Sequence, residues 1–179
     1  MKIIPTSLTD VLLIEPKIFH DERGFLFESF SKRKYADTGI SCDFVQDNHS
    51  HSKKGILRGL HFQTDHPQAK LVRVIRGEVF DVAVDLRKKS PNFGKWFGAR
   101  LSAENNLQMF IPEGFAHGFC VLSEEAEFLY KCSNYYSPAG EGGILWNDPD
   151  INIDWPLEKP VLSEKDQLYP CLKDVQLPF

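Results

Sequence analysis

The sequence predicts an all-β fold of the sandwich, barrel or jelly-roll class, and three observations favour it. Short apolar runs of strand length recur along the chain, separated by turns rich in Gly and Pro. Residues 79–86 alternate cleanly, with Phe80, Val82, Val84 and Leu86 on one face. Only residues 32–37, between Ser31 and Gly39, carry both start and stop signals of a helix in the first two-thirds.

Composition limits the classes of function. The chain has 179 residues, of which 42% are hydrophobic and 26% charged, and this fits a single domain over residues 1–179 with N-terminal strands and a short C-terminal extension. A net charge of −4 argues against nucleic acid as a partner. No apolar stretch is long enough to span a membrane, so we expect a cytoplasmic protein. The four cysteines are widely spaced and are expected to be reduced.

The N-terminal quarter is predicted from its turn residues. Residues 12–19 form a short strand interrupted by Pro16, and residues 21–24 form a turn in which glycine allows a positive φ. A strand over residues 25–30 and the helix over 32–37 follow. Residues 44–51 place Gln46, Asn48 and Ser50 on one face, a polar row that fits a solvated edge strand or a functional surface equally well.

Residues 57–63 form a strand whose faces are both mixed. Regular alternation puts His61 and Gln63 on one face and Arg58 on the other. A histidine in such a run is either a core residue with a satisfied hydrogen bond or a functional one. Arg58 would share a face with His61 only if Gly59 introduced a bulge or twist.

The remaining strands follow at short intervals, and the tail is broken by prolines. Ser163 is expected to open a short helical turn within that tail. Beyond the runs already described, the predicted strands cover residues 70–75, 95–101, 108–112, 117–122 and 126–134.

One motif is typical of a known superfamily. Residues 112–117 read P-x-G-x-x-H, the second signature of the cupin superfamily, so this part of the chain resembles a cupin jelly roll. The first cupin signature needs H-x-H and a glutamate as metal ligands, whereas this chain has His61-Phe62-Gln63. His117 alone cannot hold a divalent ion, so the residue types predict a site without metal or cofactor. A buried, hydrogen-bonded histidine is the alternative interpretation of His117.

A closer resemblance runs nearly end to end and rests on seven segments. They are residues 21–25 (DERGF), 44–50 (FVQDNHS), 57–63 (LRGLHFQ), 70–74 (KLVRV), 112–119 (PEGFAHGF), 146–149 (WNDP) and 162–166 (LSEKD). Together these segments are similar to the dTDP-4-dehydrorhamnose 3,5-epimerase family, which implies a metal-independent jelly-roll homodimer. Its substrate would be a nucleotide sugar, dTDP-4-keto-6-deoxyglucose, inverted at carbons 3 and 5 on the way to dTDP-L-rhamnose for cell-surface polysaccharide such as O-antigen.

The resemblance implies four catalytic residues whose types fit the chemistry. Carbons 3 and 5 flank a ketone, so a base can remove each proton if the enolate oxygen is stabilised. A histidine, with an unperturbed pKa of ~6.5 for that residue type, suits a base near neutral pH, so His61 would be the base and Asp166 its orienting carboxylate. Lys70 would stabilise the enolate, worth on the order of 3 to 4 kcal/mol of barrier. A phenol is acidic enough, at an unperturbed pKa of ~10 for tyrosine, to return a proton from the opposite face, and this would be the role of Tyr130.

The resemblance also implies a set of substrate-binding residues. Arginine and lysine would contact the diphosphate, polar side chains and His117 the sugar and neighbouring groups, and Tyr136 the thymine ring. The full set is Arg23, Glu28, Gln46, Asp47, Asn48, Arg58, Lys70, His117, Tyr136, Glu141 and Lys165.

Each residue has an ordinary structural alternative, and three other functions stay open. Asp166 alone fits a carboxylate in the first turn of a helix, Tyr130 a core tyrosine, and Lys70 a solvated lysine at a strand end. The alternative functions are a metal-dependent cupin dioxygenase, a jelly roll that binds nucleotide sugars without catalysis, and a related enzyme that inverts one carbon or isomerises the ketone.

Overall fold

The structure is a computed structural model that describes residues 1–179, and it consists of two antiparallel sheets packed face to face, with a separate two-stranded hairpin. The strands are β1 (Lys2–Pro5), β2 (Leu12–Glu15), β3 (Phe19–Asp21), β4 (Gly24–Leu26), β5 (Gln46–Lys53), β6 (Leu57–Gln63), β7 (Lys70–Arg76), β8 (Glu78–Asp85), β9 (Trp96–Ser102), β10 (Gln108–Ile111), β11 (Phe115–Val121), β12 (Glu125–Cys132) and β13 (Glu141–Gly143). The α-helices are α1 (Lys32–Ala36) and α2 (Glu164–Gln167), and 3-10 turns occur at Pro138–Gly140 and Leu172–Asp174.

Strand order gives the predicted jelly roll. One sheet has the order β1-β2-β10-β7-β12-β5, and the other has the order β13-β6-β11-β8-β9. Consecutive strands along the chain therefore often lie in opposite sheets, as they do in double-sheet jelly rolls. The strand β5 is an edge strand, but Gln46, Asn48 and Ser50 are only partly exposed, so the polar row is not the solvated face of that strand.

The alternation of β8 is confirmed, and it shows which face is the interior. Val79 and Ala83 pack in the cluster between the two sheets, with Phe128 from the opposite sheet. Val82 and Val84 lie on the outer face instead, where the C-terminal tail covers them. The more apolar face of β8 therefore points outward, and the face that carries Asp81 points into the sandwich.

The C-terminal tail and the first helix each close a further core. Tail residues Trp155, Leu172 and Leu177 are buried against the five-stranded sheet. On the outer face of the six-stranded sheet, Tyr35 of α1 is buried beside Phe110. These two layers bury apolar surface that both sheets would otherwise expose to water.

The predicted helix is confirmed, but its cap is weaker than the sequence indicates. Ser31 occupies the N-cap position and makes no side-chain cap hydrogen bond. The chain leaves the helix through Gly39, whose φ of 94° is a conformation that glycine adopts without steric cost. The predicted turn at Ser163 is also confirmed, and there the hydroxyl accepts the amide N–H of Asp166 at 3.1 Å.

The predicted strand over residues 25–30 is wrong beyond Leu26. The strand β4 pairs only with the three-residue β3, so no neighbour continues the backbone ladder. Phe30 instead packs its ring against Tyr35, with centroids 5.1 Å apart, and against Phe44 at 5.3 Å. Aromatic packing has replaced strand pairing in this segment.

Two further expectations can be compared with the structure. All four cysteines are free; Cys120 and Cys132 are buried, and Cys42 and Cys171 are partly exposed. No helix is both long enough and apolar enough to cross a membrane.

Candidate active site

Most of the predicted catalytic residues line one cavity between the two sheets. It receives side chains from β5, β6, the loop between β6 and β7, β7, β12, the segment after β12 and β13. The lining residues are Gln46, Asn48, His61, Phe62, Gln63, Gln68, Lys70, Tyr130, Tyr136 and Glu141. Polar and ionisable groups thus converge inside an otherwise apolar fold.

His61 is held by a carboxylate from a distant part of the chain. Its Nε2 lies 2.7 Å from Oδ1 of Asp166, which belongs to α2. The amide N–H of Gly59 donates to the other oxygen of that carboxylate at 3.3 Å. Burial opposes ionisation of Asp166, but the bonds from His61 and Gly59 hold its pKa below its ordinary value. The pair leaves the second ring nitrogen of His61 free to take a proton.

A bulge brings Arg58 onto the same face as His61. In the pairing of β6 with β11, His61 lies opposite His117 and Arg58 lies opposite Phe119. Three residue intervals on β6 therefore match two on β11, which is the signature of a bulge in β6. Gly59 supplies the extra residue with a φ of 125°. A Cβ there would lie 2.8 Å from the carbonyl oxygen of His117, so no other residue fits. Arg58 is exposed and donates from Nε to Oγ of Ser52 at 3.0 Å.

Tyr130 and Lys70 face His61 from the other sheet. His61 stands on β6 of the five-stranded sheet, whereas Lys70 is on β7 and Tyr130 on β12 of the six-stranded sheet. The Lys70 ammonium lies 5.9 Å from the centroid of the Tyr130 ring. A ligand in the cavity would therefore have an imidazole on one side and a phenol and an ammonium on the other.

Burial changes the acidity of both groups on that wall. It lowers the pKa of Lys70, because the charged ammonium loses hydration, and the Asp81 and Glu141 carboxylates oppose the change. Burial raises the pKa of the Tyr130 phenol, and the Arg58 guanidinium opposes it. Tyr130 is therefore a protonated donor at neutral pH.

The predicted binding residues on β5 lie on both faces of the strand, with the polar row on one face and Asp47 on the other. Gln46 and Asn48 line the cavity, and Gln46 donates from Nε2 to Oδ1 of Asn48 at 3.1 Å. Asp47 does not line this cavity, and its carboxylate is 2.8 Å from the Lys131 ammonium. Strand alternation separates Asp47 from its neighbours, so its predicted contact with the substrate stays a prediction.

Three predicted substrate-binding residues form one hydrogen-bonded chain at the cavity entrance. The hydroxyl of Tyr136 donates to Oε2 of Glu141 at 2.7 Å, and Glu141 also pairs with the ammonium of Lys165. Burial opposes ionisation of Glu141, but these two partners hold its pKa below the ordinary value. Tyr136 is half-exposed, so part of its side chain is accessible to a ligand.

His117 forms a second histidine–aspartate pair, which is buried. Its Nε2 lies 2.8 Å from Oδ1 of Asp81, and its ring lies 6.0 Å from that of Phe128, nearly parallel to it. The other carboxylate oxygen of Asp81 is buried without a hydrogen-bond partner. This is the surrounding of a core histidine, and His117 does not line the cavity that contains His61. Its predicted contact with the sugar stays a prediction.

The two N-terminal members of the predicted site are not brought to His61 within this chain. Arg23 is exposed on the β3–β4 hairpin and pairs with Asp21 at 2.5 Å. Glu28 is exposed and pairs with Lys34. Neither residue lines the cavity.

Sequence reasoning missed three residues around the two histidines. Asp81 was predicted only as part of an alternating strand, and the pattern gave no signal for it, because the more apolar face of β8 is the outer one. Tyr169 packs edge to face against the His61 ring, with centroids 5.8 Å apart. A Cβ at Gly143 would lie 2.4 Å from the Tyr169 ring, so the lack of a side chain there makes room for that packing. No sequence motif pointed to this contact.

The donor set does not fit the metal of other cupins. Each histidine uses Nε2 on a carboxylate, and Gln63, at the place of the second histidine, accepts a backbone N–H at Ser137 instead. No group of three or more His, Cys, Asp or Glu side chains is placed to hold a metal ion.

Comparison with known proteins identifies the family. The family model for dTDP-4-dehydrorhamnose 3,5-epimerase matches residues 5–174. Enzymes of that name from Shigella flexneri and Salmonella typhimurium are 61% and 59% identical, over 93% and 99% of this chain and 93% and 98% of their own. The crystal structure of the Legionella pneumophila dTDP-6-deoxy-D-glucose-3,5-epimerase in complex with dTDP-4-keto-L-rhamnose superimposes with a TM-score of 0.96, at 53% identity, covering 98% of this chain and 94% of that one. The chain therefore belongs to the dTDP-4-dehydrorhamnose 3,5-epimerase family.

Proposed function

We propose that this chain inverts carbons 3 and 5 of dTDP-4-dehydro-6-deoxy-D-glucose to give dTDP-4-dehydro-L-rhamnose, a step toward dTDP-L-rhamnose. The family and the named relatives support this reaction over the single-carbon and ketoisomerase alternatives. One observation carries the mechanism: His61 and Tyr130 face a single cavity from opposite sheets. Inversion needs a base and an acid on opposite faces of the sugar ring.

His61 acts as the base in this mechanism. The ketone at carbon 4 acidifies the protons on carbons 3 and 5, and the free nitrogen of the imidazole removes them in turn. The ionised Asp166 fixes the ring and stabilises the imidazolium that forms. Tyr169 limits ring motion by packing against its edge.

Lys70 and Tyr130 complete the transfer from the other wall. The Lys70 ammonium stabilises the enolate oxygen, and it does so strongly because the surrounding protein excludes water. The Tyr130 phenol then donates its proton to the opposite face of the carbon. Proton exchange with solvent returns His61 to the neutral imidazole and Tyr130 to the phenol before the second carbon reacts. Burial keeps that phenol protonated until it is needed, because burial raises its pKa.

The nucleotide occupies the entrance of the cavity. Tyr136 stacks on the thymine ring, and Arg58 and Lys165 contact the diphosphate, with guanidinium and ammonium donors suited to phosphate oxygens. The bulge at Gly59 supports the role of Arg58, because it turns the guanidinium to the His61 side of the sheet. Gln46 and Asn48 contribute polar contacts from β5.

The active unit is a homodimer in this proposal. The β3–β4 hairpin exposes Phe19, Phe25 and Leu26 by 57%, 60% and 74%, and this concentration of exposed apolar side chains favours a protein partner. We infer that this hairpin lies on the second subunit and that Arg23 and Glu28 complete the site of that subunit. The cytoplasmic location stays a prediction from the sequence.

Deuterium wash-in tests the reaction directly. The chain is incubated with the 4-keto sugar in deuterated water, and product is analysed by NMR and mass spectrometry. Deuterium at both carbon 3 and carbon 5, with inversion at both, is the expected result. Inversion at one carbon alone would support the single-carbon alternative, and binding of thymidine diphosphate without exchange would support a non-catalytic jelly roll. Stoichiometric iron, with activity lost on chelation, would contradict the metal-free mechanism and favour a dioxygenase.

A further inference from the structure

The segment of residues 133–140 carries Tyr136 and is fixed at both ends by backbone hydrogen bonds. At its start, the amide of Ser133 donates to the carbonyl of Ala69 at 3.0 Å. At its end, the amide of Thr64 donates to the carbonyl of Gly140 at 2.7 Å. Between these ends the segment is outside any sheet and has a 3-10 turn at Pro138–Gly140, so side chains supply most partners for its middle. One of them is Gln46, whose Oε1 accepts the backbone N–H of Tyr136 at 3.0 Å.

Two side chains from the end of β6 and the loop after it converge on Ser137, the residue after Tyr136. The backbone N–H of Ser137 donates to Oε1 of Gln63 at 3.1 Å. The hydroxyl of Ser137 donates to Oδ2 of Asp65 at 2.7 Å. A Cβ at Gly140 would lie 1.6 Å from Oδ1 of Asp65, so the glycine leaves the space through which Asp65 reaches the segment. We name these two bonds the Ser137 clamp.

Gln63 is placed to connect the catalytic strand with this segment. It is two residues from His61 on β6, lines the same cavity and is only 6% exposed. Its Cα lies opposite that of Glu141, whose carboxylate accepts the Tyr136 hydroxyl. A buried amide oxygen that lost its N–H partner would carry a desolvation penalty, so the bond strongly favours this one position of the segment.

We propose that the Ser137 clamp is a positioning device, in which Gln63 and Asp65 set the backbone that aims the Tyr136 ring at the nucleotide. Gln63 occupies the position of the second metal-binding histidine in other cupins. In this chain it thereby determines nucleotide affinity and leaves the proton transfers unaffected. This inference rests on the proposed role of Tyr136 in stacking on thymine. Gln63 acts through the loop and does not touch the reacting carbons.

The test compares Gln63→Leu and Ser137→Ala, each of which removes one bond of the clamp. We expect the Kd for thymidine diphosphate and the KM for the keto sugar to rise about five- to tenfold for Gln63→Leu and less for Ser137→Ala, with kcat within about twofold of wild type. Thr64→Val is the matched control. It lies between the two clamp residues and removes a side-chain bond to Gly140 at 3.1 Å, outside the Tyr136 turn, so the Kd should stay unchanged.

A double-mutant cycle shows whether the clamp acts through Tyr136. In a Tyr136→Ala background, neither clamp variant should weaken thymidine diphosphate binding further. An unchanged Kd in both single variants would overturn the inference, as would an equal loss of affinity with and without Tyr136. If Gln63→Leu does not fold, Ser137→Ala decides through the same cycle. Wild-type protein that binds thymidine diphosphate but exchanges no deuterium would contradict the proposed reaction, whereas the binding cycle alone decides the clamp.

Discussion

Two histidine–aspartate pairs lie side by side on neighbouring strands and have opposite surroundings. His61 on β6 and His117 on β11 are direct partners in the sheet, and each places Nε2 within 2.8 Å of a carboxylate. The His61 side chain is 32% exposed, whereas the His117 side chain is 7% exposed. Asp166 has hydrogen bonds on both carboxylate oxygens, but one oxygen of Asp81 has none.

The difference shows how environment, and not residue type, separates a base from a core residue. Hydrogen bonds keep the pKa of Asp166 below its ordinary value, so the carboxylate can support an imidazolium at neutral pH. Burial raises the pKa of Asp81 and lowers that of His117, so the second pair resists carrying charge. Only the pair built on His61 is suited to proton transfer.

The same substitution at the two histidines should give the largest difference in kcat. His61→Asn removes the base, so we expect kcat to fall by about 10³- to 10⁴-fold while the protein stays folded. His117→Asn leaves the base intact, so kcat should fall by no more than about tenfold. The main effect of His117→Asn should be a loss of stability of about 1 to 3 kcal/mol, since the ring packs on Phe128.

Steady-state kinetics and urea unfolding of both variants make this comparison. A larger loss of kcat in His117→Asn than in His61→Asn would reverse the assignment of the two pairs.

Substitution of the two carboxylates should give the second-largest difference in kcat, smaller than that between the two histidine variants. Asp166→Asn keeps the shape but no longer stabilises the imidazolium, and kcat should fall by about 10²- to 10³-fold. Asp81→Asn should lower kcat by less than about tenfold, because its partner does not take a proton from substrate. The pH profile of kcat/KM distinguishes the two variants. Only Asp166→Asn should shift the acid limb of that profile.

Stability should depend on pH with opposite sign at the two carboxylates. The folded-state pKa of Asp166 is lowered from 3.8, so its contribution is present above that value and is lost as the pH falls through the folded pKa. The folded-state pKa of Asp81 is raised from 3.8, so its contribution is present below that value and is lost as the pH rises through the folded pKa.

Urea unfolding between about pH 3 and pH 7, at one protein concentration, measures this contrast. Relative to wild type, Asp166→Asn should lose stability as the pH rises, and Asp81→Asn should gain it. Equal signs for the two variants would contradict the comparison.

Local sequence patterns predicted the fold well, because the strands and turns of a jelly roll depend on alternation and turn residues within a few positions. The alternation of β8, the turn glycines and the Ser163 cap all act within a few residues, and the structure confirms them. The strand over residues 25–30 was wrong because pairing depends on a neighbour, and β3 is too short to provide one. Local sequence contains no information on the length of a partner strand.

The candidate site could be predicted only in part, since its contacts are distant in sequence. His61 and Asp166 are separated by 105 positions, and only the family resemblance joined them before the structure did. The bulge that turns Arg58 toward His61 could be suggested from Gly59 but not located, because it depends on the pairing with β11. Asp81, Tyr169 and the Ser137 clamp depend on tertiary packing that no local pattern contains.

The most direct test of the central claim measures deuterium wash-in for His61→Asn and Tyr130→Phe in parallel. If His61 removes the proton and Tyr130 returns one from the opposite wall, His61→Asn should take up no deuterium at carbon 3 or carbon 5. Tyr130→Phe should still take up deuterium at a carbon that His61 deprotonates, but with retained configuration, because only the original face can be reprotonated. Wash-in by His61→Asn, or full inversion by Tyr130→Phe, would contradict the assignment of base and acid to the two walls.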